Sequence, residues 1–204
     1  MIFICSRKQD IPYTPQEPYH IIIPEDYLSY PNISDKIAYR HLRGMYIIWK
    51  NPTLFDNPQE VTIFQERRHL NTIHTPPSYD VIQPQHINFP SMYQEWCWNS
   101  SHPAHRKEYM DELLCLLPKM QQYATIHPAP TSYYHNMGVY TWEIYDQLCN
   151  FLFTTLDVLE TRINIDPTGD NHCYAFLAER LQNYFFWDHP EYKVFESPLV
   201  TYPS

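Results

Sequence analysis

Short apolar runs alternate along the chain with longer stretches of helical periodicity. Residues 2–5, 20–23 and 61–64 are runs of β-branched and aromatic residues with the length of buried strands. Weaker signals predict further strands at residues 79–83, 139–140 and 194–200. Strands that alternate with helices predict an α/β fold, in which helices flank a sheet and ligands bind beyond the carboxyl ends of its strands.

Three segments carry the periodicity of helices. A helix is predicted over residues 35–50, where Ser34 is a suitable N-cap. The clearest signal is a long helix that Thr141 caps, with apolar residues at helical spacing as far as Ile163. Another helix is predicted over residues 174–187.

The middle of the chain, residues 91–130, gives a mixed pattern. Residues 109–123 have helical spacing but contain Pro118, a residue that interrupts helices. Trp96 and Trp98 stand in a stretch without clear periodicity, which predicts irregular structure there.

The composition is typical of one folded domain spanning residues 1–204. A hydrophobic share of 44% and an aromatic share of 16% are too high for a disordered chain, and 204 residues suffice for one substantial core. The 19 prolines against 3 glycines indicate stiff connections. Neither a GxGxxG sequence nor a P-loop is present, so the chain lacks the glycine-rich route to a phosphate site.

Charge and cysteine content narrow the function classes. The net charge of -9 argues against a general nucleic-acid binder, which needs a basic face, so any contact with phosphate must be local. The 5 cysteines are odd in number and lack CxxC spacing, which fits a reducing compartment. The apolar run at the start of the chain is too short for a signal peptide or a membrane span. We therefore expect a cytosolic protein without a transmembrane segment.

Cations directly follow two of the predicted strands. Arg7 and Lys8 come after the first strand, and Arg67 and Arg68 come after residues 61–64. Carboxyl ends of strands converge on one edge of an α/β sheet, and the planar fork of arginine matches phosphate oxygens. These positions predict a site for a diphosphate. The alternative is a solvated, ion-paired loop, which is the usual state of surface arginines.

Four segments, in order, resemble a family of capsular and exopolysaccharide biosynthesis proteins, first described as a domain of unknown function and now regarded as glycosyltransferases. Residues 32–51 are similar to the family's "NISEKN...ELTGLYWIWKN", and residues 63–69 to "IGxxHYRRYF". Residues 135–140 and the helix behind them are similar to "YNMFIMKKELFDEYCEWLF", and residues 174–181 to "FGFLAERLL". The resemblance covers nearly the whole chain and is loose only between residues 91 and 130.

The resemblance implies a single-domain, glycosyltransferase-A-like (Rossmann-like) fold with a mixed sheet flanked by helices. It also implies an enzyme that moves a hexose, of the galactose type, from a nucleotide-diphosphate sugar such as UDP-galactose. The acceptor would be a surface polysaccharide or a lipid-linked glycan. Such an enzyme would be cytoplasmic and could lie peripherally at the inner face of the membrane. The inverting or retaining outcome stays open.

The chain departs from the family motifs at several positions. Gln65 and Glu66 stand where the family has histidine and tyrosine, and His41 stands where it has glutamate. Ser6-Arg7-Lys8 replaces the usual His-Lys-Lys after the first strand. These departures leave a second hypothesis open, that of a non-catalytic nucleotide-sugar-binding or assembly subunit of a polysaccharide biosynthesis system.

Roles for individual residues follow from strand ends and from the resemblance. Candidates for binding the diphosphate of the donor are the cations Arg67, Arg68, Arg7, Lys8 and Lys36. Glu179 matches the family's glutamate and is the first candidate for the catalytic base, unless it forms a buried pair with Arg180. The other carboxylates considered for catalysis are Glu66 and Asp80. Candidates for binding sugar or acceptor hydroxyl groups are Asn136, Asp80 and Gln65.

The sequence predicts no cofactor and leaves dependence on a divalent metal open. Many glycosyltransferases of this architecture hold a divalent metal through an Asp-x-Asp motif, and this chain has none, so cationic side chains would replace the metal. His102 and His105 have a plausible spacing for zinc but no partner pair at a recognised distance. Trp96 and Trp98 could stack on the acceptor, although aromatic residues are more often part of the core.

Overall fold

The computed structural model describes residues 1–6, 18–86, 91–98, 106–125, 135–168 and 172–202, and of Trp98 only the backbone. Within these ranges the strands are β1 (Ile2–Cys5), β2 (Tyr19–Ile22), β3 (Glu60–Gln65), β4 (Arg68–Leu70), β5 (Val81–Pro84), β6 (Gly138–Thr141), β7 (Val194–Ser197) and β8 (Leu199–Thr201). The helices are α1 (Leu42–Lys50), α2 (Met92–Trp98), α3 (Lys107–Leu116), α4 (Pro118–Thr125), α5 (Trp142–Glu160) and α6 (Cys173–Asp188). The predicted α/β mixed sheet with flanking helices is confirmed. The assignment of residues 1–204 to one domain stays a prediction.

The described strands form one mixed sheet in the order β2-β1-β3-β6-β5-β7, and β4 connects β3 to β8 at the side. β1 runs parallel to β2 and to β3, whereas β6 runs antiparallel to both β3 and β5. The carboxyl ends of β1 and β3 therefore share an edge with the amino end of β6. We call this the carboxyl edge. Residues that precede β5 lie at the opposite edge, because β5 has the same direction as β3.

Alternating side chains of the central strands enter two apolar layers. Phe3, Cys5, Val61 and Ile63 face a large core shared with α1, α5 and α6, while Ile4 and its neighbours face a smaller one on the other side. β1 is buried along its whole length because both faces of the sheet are covered there. In the described part of the chain, no helix combines the length and apolar character that crossing a bilayer needs.

The predicted helix over residues 35–50 is wrong in its first half. Ser34 does not cap it, because its hydroxyl donates to the carbonyl of Pro24 at 2.7 Å. A short 3-10 turn follows at Ile37–Tyr39, and the backbone then leaves helical geometry at Arg40, whose φ is 52°. α1 begins only at Leu42, two residues later.

Other boundaries follow recognisable signals. Thr141 caps α5 as predicted, since its hydroxyl accepts from the Ile144 amide at 3.4 Å. Pro118 is the first residue of α4, a position that needs no amide donor. The predicted last strand is two strands, β7 and β8, with Pro198 between them. Trp96 lies in helix α2 and is fully buried, so the prediction of irregular structure there is wrong.

Gly44 allows α1 to lie directly on β1. A β-carbon built at Gly44 would be 2.6 Å from Cys5 Sγ and 3.0 Å from Cys5 Cβ. The first distance is too short for two unbonded heavy atoms, and the second is tighter than most contacts of a β-carbon. The close approach matters for the site because it holds the amino end of α1 beside the carboxyl edge.

Gly44→Ala tests this packing, because helix propensity and the close contact predict opposite changes in the free energy of unfolding. In an exposed helix the change would stabilise the protein by up to about 1 kcal/mol, because alanine is the better helix former. Here we expect the free energy of unfolding to fall by about 1–3 kcal/mol, because the methyl group overlaps Cys5. Urea unfolding measures the difference.

The matched control is the double variant Cys5→Ala/Gly44→Ala. Removing Sγ relieves the overlap, so the two substitutions together should destabilise the protein by less than the sum of their separate effects. Additive effects, or a stabilised Gly44→Ala, would contradict the close contact.

Candidate functional site

The carboxyl edge collects most of the predicted site residues that the structure describes. Cys5 and Gln65 are register partners at the ends of β1 and β3, so the segments that follow them start side by side. The turn before β6 contributes His135 and Asn136, and α6 contributes Glu179. Arg7 and Lys8 lie outside the described residues, directly after the described end of the first segment.

The arginine pair sits on a tight turn between β3 and β4. Gln65 pairs with Arg68 across that turn, so Glu66 and Arg67 form its tip. Arg67 is 45% exposed, and its Nε lies 4.0 Å from Glu66 Oε1. Arg68 points inward instead, where its Nη1 donates to Gln65 Oε1 at 3.0 Å. The two neighbouring arginines thus face different parts of the site.

Gln65 and Asn136 both contact the imidazole of His41. Gln65 Nε2 lies 3.3 Å from His41 Nε2 and also donates to the His135 carbonyl. Asn136 Nδ2 lies 3.2 Å from the same imidazole nitrogen and donates to the Ala175 carbonyl at 3.0 Å. The side-chain oxygen of Asn136 is buried and has no hydrogen-bond partner among the described residues. That oxygen is a candidate acceptor for a ligand hydroxyl.

The backbone is strained where it enters the site. His135 and Asn136 have φ angles of 89° and 43°, and Arg40 and His172 have φ angles of 52° and 60°. Left-handed conformations of residues other than glycine cost energy, and they cluster where the surrounding structure enforces a functional geometry. Here the enforcing contact is visible, because Glu179 Oε1 accepts from the His135 amide at 3.0 Å.

A buried network of charges holds Glu179 in place. Arg180 donates to Glu179 Oε2 at 2.9 Å and to Glu95 Oε2 at 2.6 Å. The guanidinium carbon also lies 5.3 Å from the centre of the Trp96 ring. The sequence leaves two roles open for Glu179, and the buried pair with Arg180 is the one whose contacts are present. We call Glu95, Arg180 and Glu179 the buried charge network.

The surroundings shift the pKa values of three site residues. Burial lowers the pKa of His41 to about 3, helped by His135, Arg68, His172 and Arg40. Burial also lowers the pKa of His135 to about 4, with Arg68 and Arg180 adding to the effect. For Glu179 burial raises the pKa to about 7, since it outweighs the attraction of Arg180. Arg40, Arg68 and Arg180 thus place three cations beside the two histidines, although the chain as a whole carries a net charge of -9.

Two predicted site residues are engaged elsewhere. Asp80 precedes β5 and so lies at the edge opposite the arginine pair, where its Oδ2 accepts from the Lys193 amide at 2.9 Å. Lys36 contacts two carboxylates of α5, with Nζ 2.8 Å from Glu160 Oε1 and 3.5 Å from Asp157 Oδ1. Both residues have structural partners at these positions.

No metal centre is visible in the described ranges, and Trp96 does not form an aromatic platform. No group of three or more His, Cys, Asp or Glu side chains there is arranged to hold a metal ion. His102 and His105 fall outside the described residues, as does the side chain of Trp98. Trp96 is buried and donates its indole N–H to the Arg106 carbonyl at 2.8 Å, so its ring is not available for stacking on a glycan.

A cavity of about 270 Å³ opens at the amino ends of β1 and β3. Its lining includes Ile2, His20, Glu60 and His74. None of the arginines discussed above lines it. The cavity is therefore a weaker candidate for an anionic ligand than the carboxyl edge.

Sequence reasoning missed several contributors to the site. Glu95 lies in α2, whose sequence has no clear apolar periodicity. The sequence marks His41 only as a departure from the family motif, and no local pattern indicates Arg40. The adjacent Glu179-Arg180 pair was the one local signal of the network, because oppositely charged neighbours in an otherwise apolar helix indicate a buried pair.

The pKa of Glu179 predicts a pH-dependent stability. Its ordinary value of 4.5 rises to about 7, so the native state holds this proton more tightly than the unfolded state. The contribution is present in full below the ordinary pKa and is lost as the pH rises through the raised one. The lowered values of His41 and His135 act oppositely, since their contribution is lost as the pH falls below about 6.5.

Glu179→Gln separates the two effects because the histidine contributions cancel in the difference from the wild type. The free energy of unfolding of the variant minus that of the wild type should rise by more than about 1 kcal/mol as the pH rises from 4.5 to about 7. Urea unfolding at a series of pH values measures it. A constant difference, or one that moves in favour of the wild type, would mean that Arg180 and not burial dominates the pKa of Glu179.

Comparison with known proteins gives a family and a fold. A family model described as a domain of unknown function (DUF4422) matches residues 74–190. The solved apo structure of WbbM, a bifunctional glycosyltransferase, superposes with a TM-score of 0.75 at 17% identity. The match covers 100% of this chain and 45% of that one, so the chain spans less than half of that protein. No curated protein matches. The fold is thus shared with a glycosyltransferase, and the chain belongs to the DUF4422 family.

Proposed function

We propose that this chain is a glycosyltransferase domain that uses a nucleotide-diphosphate sugar. The observation that carries the proposal is the gathering of arginines at the carboxyl edge of an otherwise acidic protein. Arg67 and Arg68 lie on the turn after β3, and Arg40 and Arg68 are close enough to His41 to lower its pKa. The fold shared with a glycosyltransferase and the four motif segments support the same assignment.

Transfer of a glycosyl group leaves a diphosphate whose negative charge has to be neutralised. Arg67 is exposed at the tip of the turn and has the reach for this, while Arg68 is held by Gln65 at the base of the same turn. Arg7 and Lys8 follow β1, which ends opposite Gln65, so their positions in the sequence favour the same ligand. Guanidinium groups fixed before the reaction begins stabilise developing charge without reorganising.

Glu66 is better placed than Glu179 to act as the base, and Asp80 lies at the opposite edge of the sheet. Glu66 lies beside Arg67, is 25% exposed, and accepts from the Ser6 hydroxyl at 3.4 Å. Glu179 is 6% exposed, and its two oxygens are bonded to Arg180 and to the His135 amide. We therefore assign proton removal from the acceptor to Glu66 and the positioning of the His135–Asn136 turn to Glu179. Gln65 and the open oxygen of Asn136 are candidates for orienting sugar hydroxyl groups.

The finer identity of the substrates rests on the motif resemblance. It favours a galactose-type hexose carried on UDP, a surface polysaccharide or lipid-linked glycan as acceptor, and a cytoplasmic protein that works peripherally at the inner face of the membrane. A divalent metal has no Asp-x-Asp motif to bind in this chain. The arginines are the residues that would neutralise the diphosphate.

The second candidate is a non-catalytic nucleotide-sugar-binding or assembly subunit. The observation that favours it is the occupation of Glu179, the residue that matches the family's glutamate, by two protein partners. Such a subunit would bind the nucleotide sugar as the enzyme does. Only turnover distinguishes the two.

UDP binding tests the anion site first. A ligand at 100 times its dissociation constant stabilises the native state by about 2.7 kcal/mol, which raises the melting midpoint of a chain of this size by roughly 5–10 °C. We expect such a shift with UDP and UDP-hexoses, and we expect it to persist in EDTA.

Arg67→Ala/Arg68→Ala should abolish the shift. Lys107→Ala/Lys119→Ala is the charge-matched control and should leave the shift unchanged, because Lys107 pairs with Asp111 within α3 and Lys119 pairs with Asp188 at the far end of α6. The absence of a shift with every nucleotide tested, in a folded wild-type protein, would contradict the proposal.

Turnover of a UDP-hexose separates the roles of the two glutamates. Glu66→Gln should keep UDP affinity and lower kcat by about 100-fold or more, because a general base is lost. Glu179→Gln should weaken binding and transfer together, because the site geometry changes.

Three other outcomes are informative. If Glu179→Gln alone lowers kcat and leaves UDP binding intact, then Glu179 and not Glu66 is the general base. Unchanged transfer in both variants would refute both roles. A wild-type protein that binds a UDP-sugar and never transfers it would support the non-catalytic subunit.

A further inference from the structure

The imidazole of His41 lies where three separate parts of the chain meet. His41 is the residue before α1, Gln65 ends β3, and Asn136 belongs to the strained turn before β6. Asn136 Nδ2 lies 3.2 Å from Nε2 of the imidazole, and Gln65 Nε2 lies 3.3 Å from Nε2 and 3.4 Å from Nδ1. None of the roles proposed above uses this contact.

The partners of each amide fix which of its atoms faces His41. Arginine only donates hydrogen bonds, so Gln65 must present its oxygen to Arg68, and its NH₂ group then faces the His135 carbonyl and His41. The Ala175 carbonyl only accepts, so Asn136 must also present its NH₂ group in that direction. The N–H donor of Asn136 therefore faces Nε2 of His41, which has to be an unprotonated acceptor, while the NH₂ group of Gln65 lies close to both ring nitrogens.

The charged groups around His41 favour the same state. Arg40 precedes it in the chain, Arg68 approaches from the β3–β4 turn, and His135 and His172 approach from the segments before β6 and α6. Each of these groups is a cation or becomes one on protonation, and with burial they lower the pKa of His41 to about 3. An imidazolium would face like charges and N–H donors. His41 is unsuited to act as an acid or a base at neutral pH.

We propose that His41 is a positioning residue of the anion site: a neutral hydrogen-bond acceptor that orients Gln65 and, through it, the guanidinium of Arg68. The same nitrogen anchors Asn136, so one imidazole aligns the turn that carries the arginine pair with the turn that carries the open amide oxygen. The ligand-binding half of this inference rests on the proposed function. The hydrogen-bonding half does not.

The same contact joins two departures from the family motifs. Position 41 has histidine in place of glutamate, and position 65 has glutamine in place of histidine. The structure brings these two side chains together.

Imidazole ¹⁵N NMR of the wild-type protein tests the hydrogen-bonding half without any ligand. We expect His41 to be neutral with the proton on Nδ1 and with Nε2 unprotonated, and to show no titration between about pH 5 and 8. A proton on Nε2, or a titration midpoint near the ordinary value for histidine, would overturn the proposal. This measurement needs no variant to fold.

Two substitutions test the effect on ligand binding. His41→Leu removes the acceptor and should weaken UDP binding about tenfold in isothermal titration calorimetry, because Arg68 loses its oriented partner. His41→Gln supplies an acceptor oxygen and should restore the affinity to within about threefold of the wild type. A merely structural role would not distinguish the variants once both are shown to be folded.

The possible failures are distinguishable. If the wild type does not bind UDP, the proposed function fails, while the NMR result still decides the state of His41. If the wild type binds UDP and folded His41→Leu binds equally well, the positioning role fails, while the proposed function stands.

Discussion

The site depends on one buried interaction, the bridge that Arg180 makes between Glu179 and Glu95. Burying three charges is costly unless every one is paired, and here the guanidinium bonds to both carboxylates at 2.9 and 2.6 Å. The remaining oxygen of Glu179 accepts the His135 amide, which lies in a strained turn. That turn places Asn136 against His41. Loss of Arg180 would remove the guanidinium that both buried carboxylates share and release the turn.

The sheet topology explains why an acidic protein has a cation-rich edge. β1 and β3 are adjacent and parallel, so the segments that follow them emerge together, and β6 begins at the same edge because it runs the other way. Among the described residues, Arg40, Arg68 and Arg180 come from three separate segments and lie near the histidines of this edge. Arginine suits this position because its guanidinium is both a charge and a rigid set of donors, and Arg68 uses one of those donors to fix Gln65.

Much of the fold was predictable because its signals are local. The buried runs gave the central strands to within one or two residues, and Thr141 marked the start of α5. The predictions fail where contacts between residues far apart in sequence determine the local structure. Ser34 bonds to Pro24 and not to a helix, and the chain turns at Arg40 because packing outweighs periodicity. Asp80 was misplaced because sequence alone did not give the direction of β5 relative to the site.

The candidate site was predictable in its location and less so in its roles. Cations after strands indicated the carboxyl edge, and the adjacent charges of Glu179 and Arg180 indicated a buried pair. The part that Glu95 plays could not be predicted, because its bond to Arg180 spans 85 positions of sequence. The contact between His41 and Gln65 crosses 24 positions of sequence, and no local pattern reports it.

The most direct measurement is an NMR titration of the wild-type chain with UDP, in which the signals that move identify the bound surface. A diphosphate site at the carboxyl edge predicts saturable shifts of the amides of residues 65–68 and 135–136 and of the side-chain Nε of Arg67 and Arg68. Shifts confined to the cavity near His20 and His74 at the opposite edge, or no shifts at all, would contradict the account.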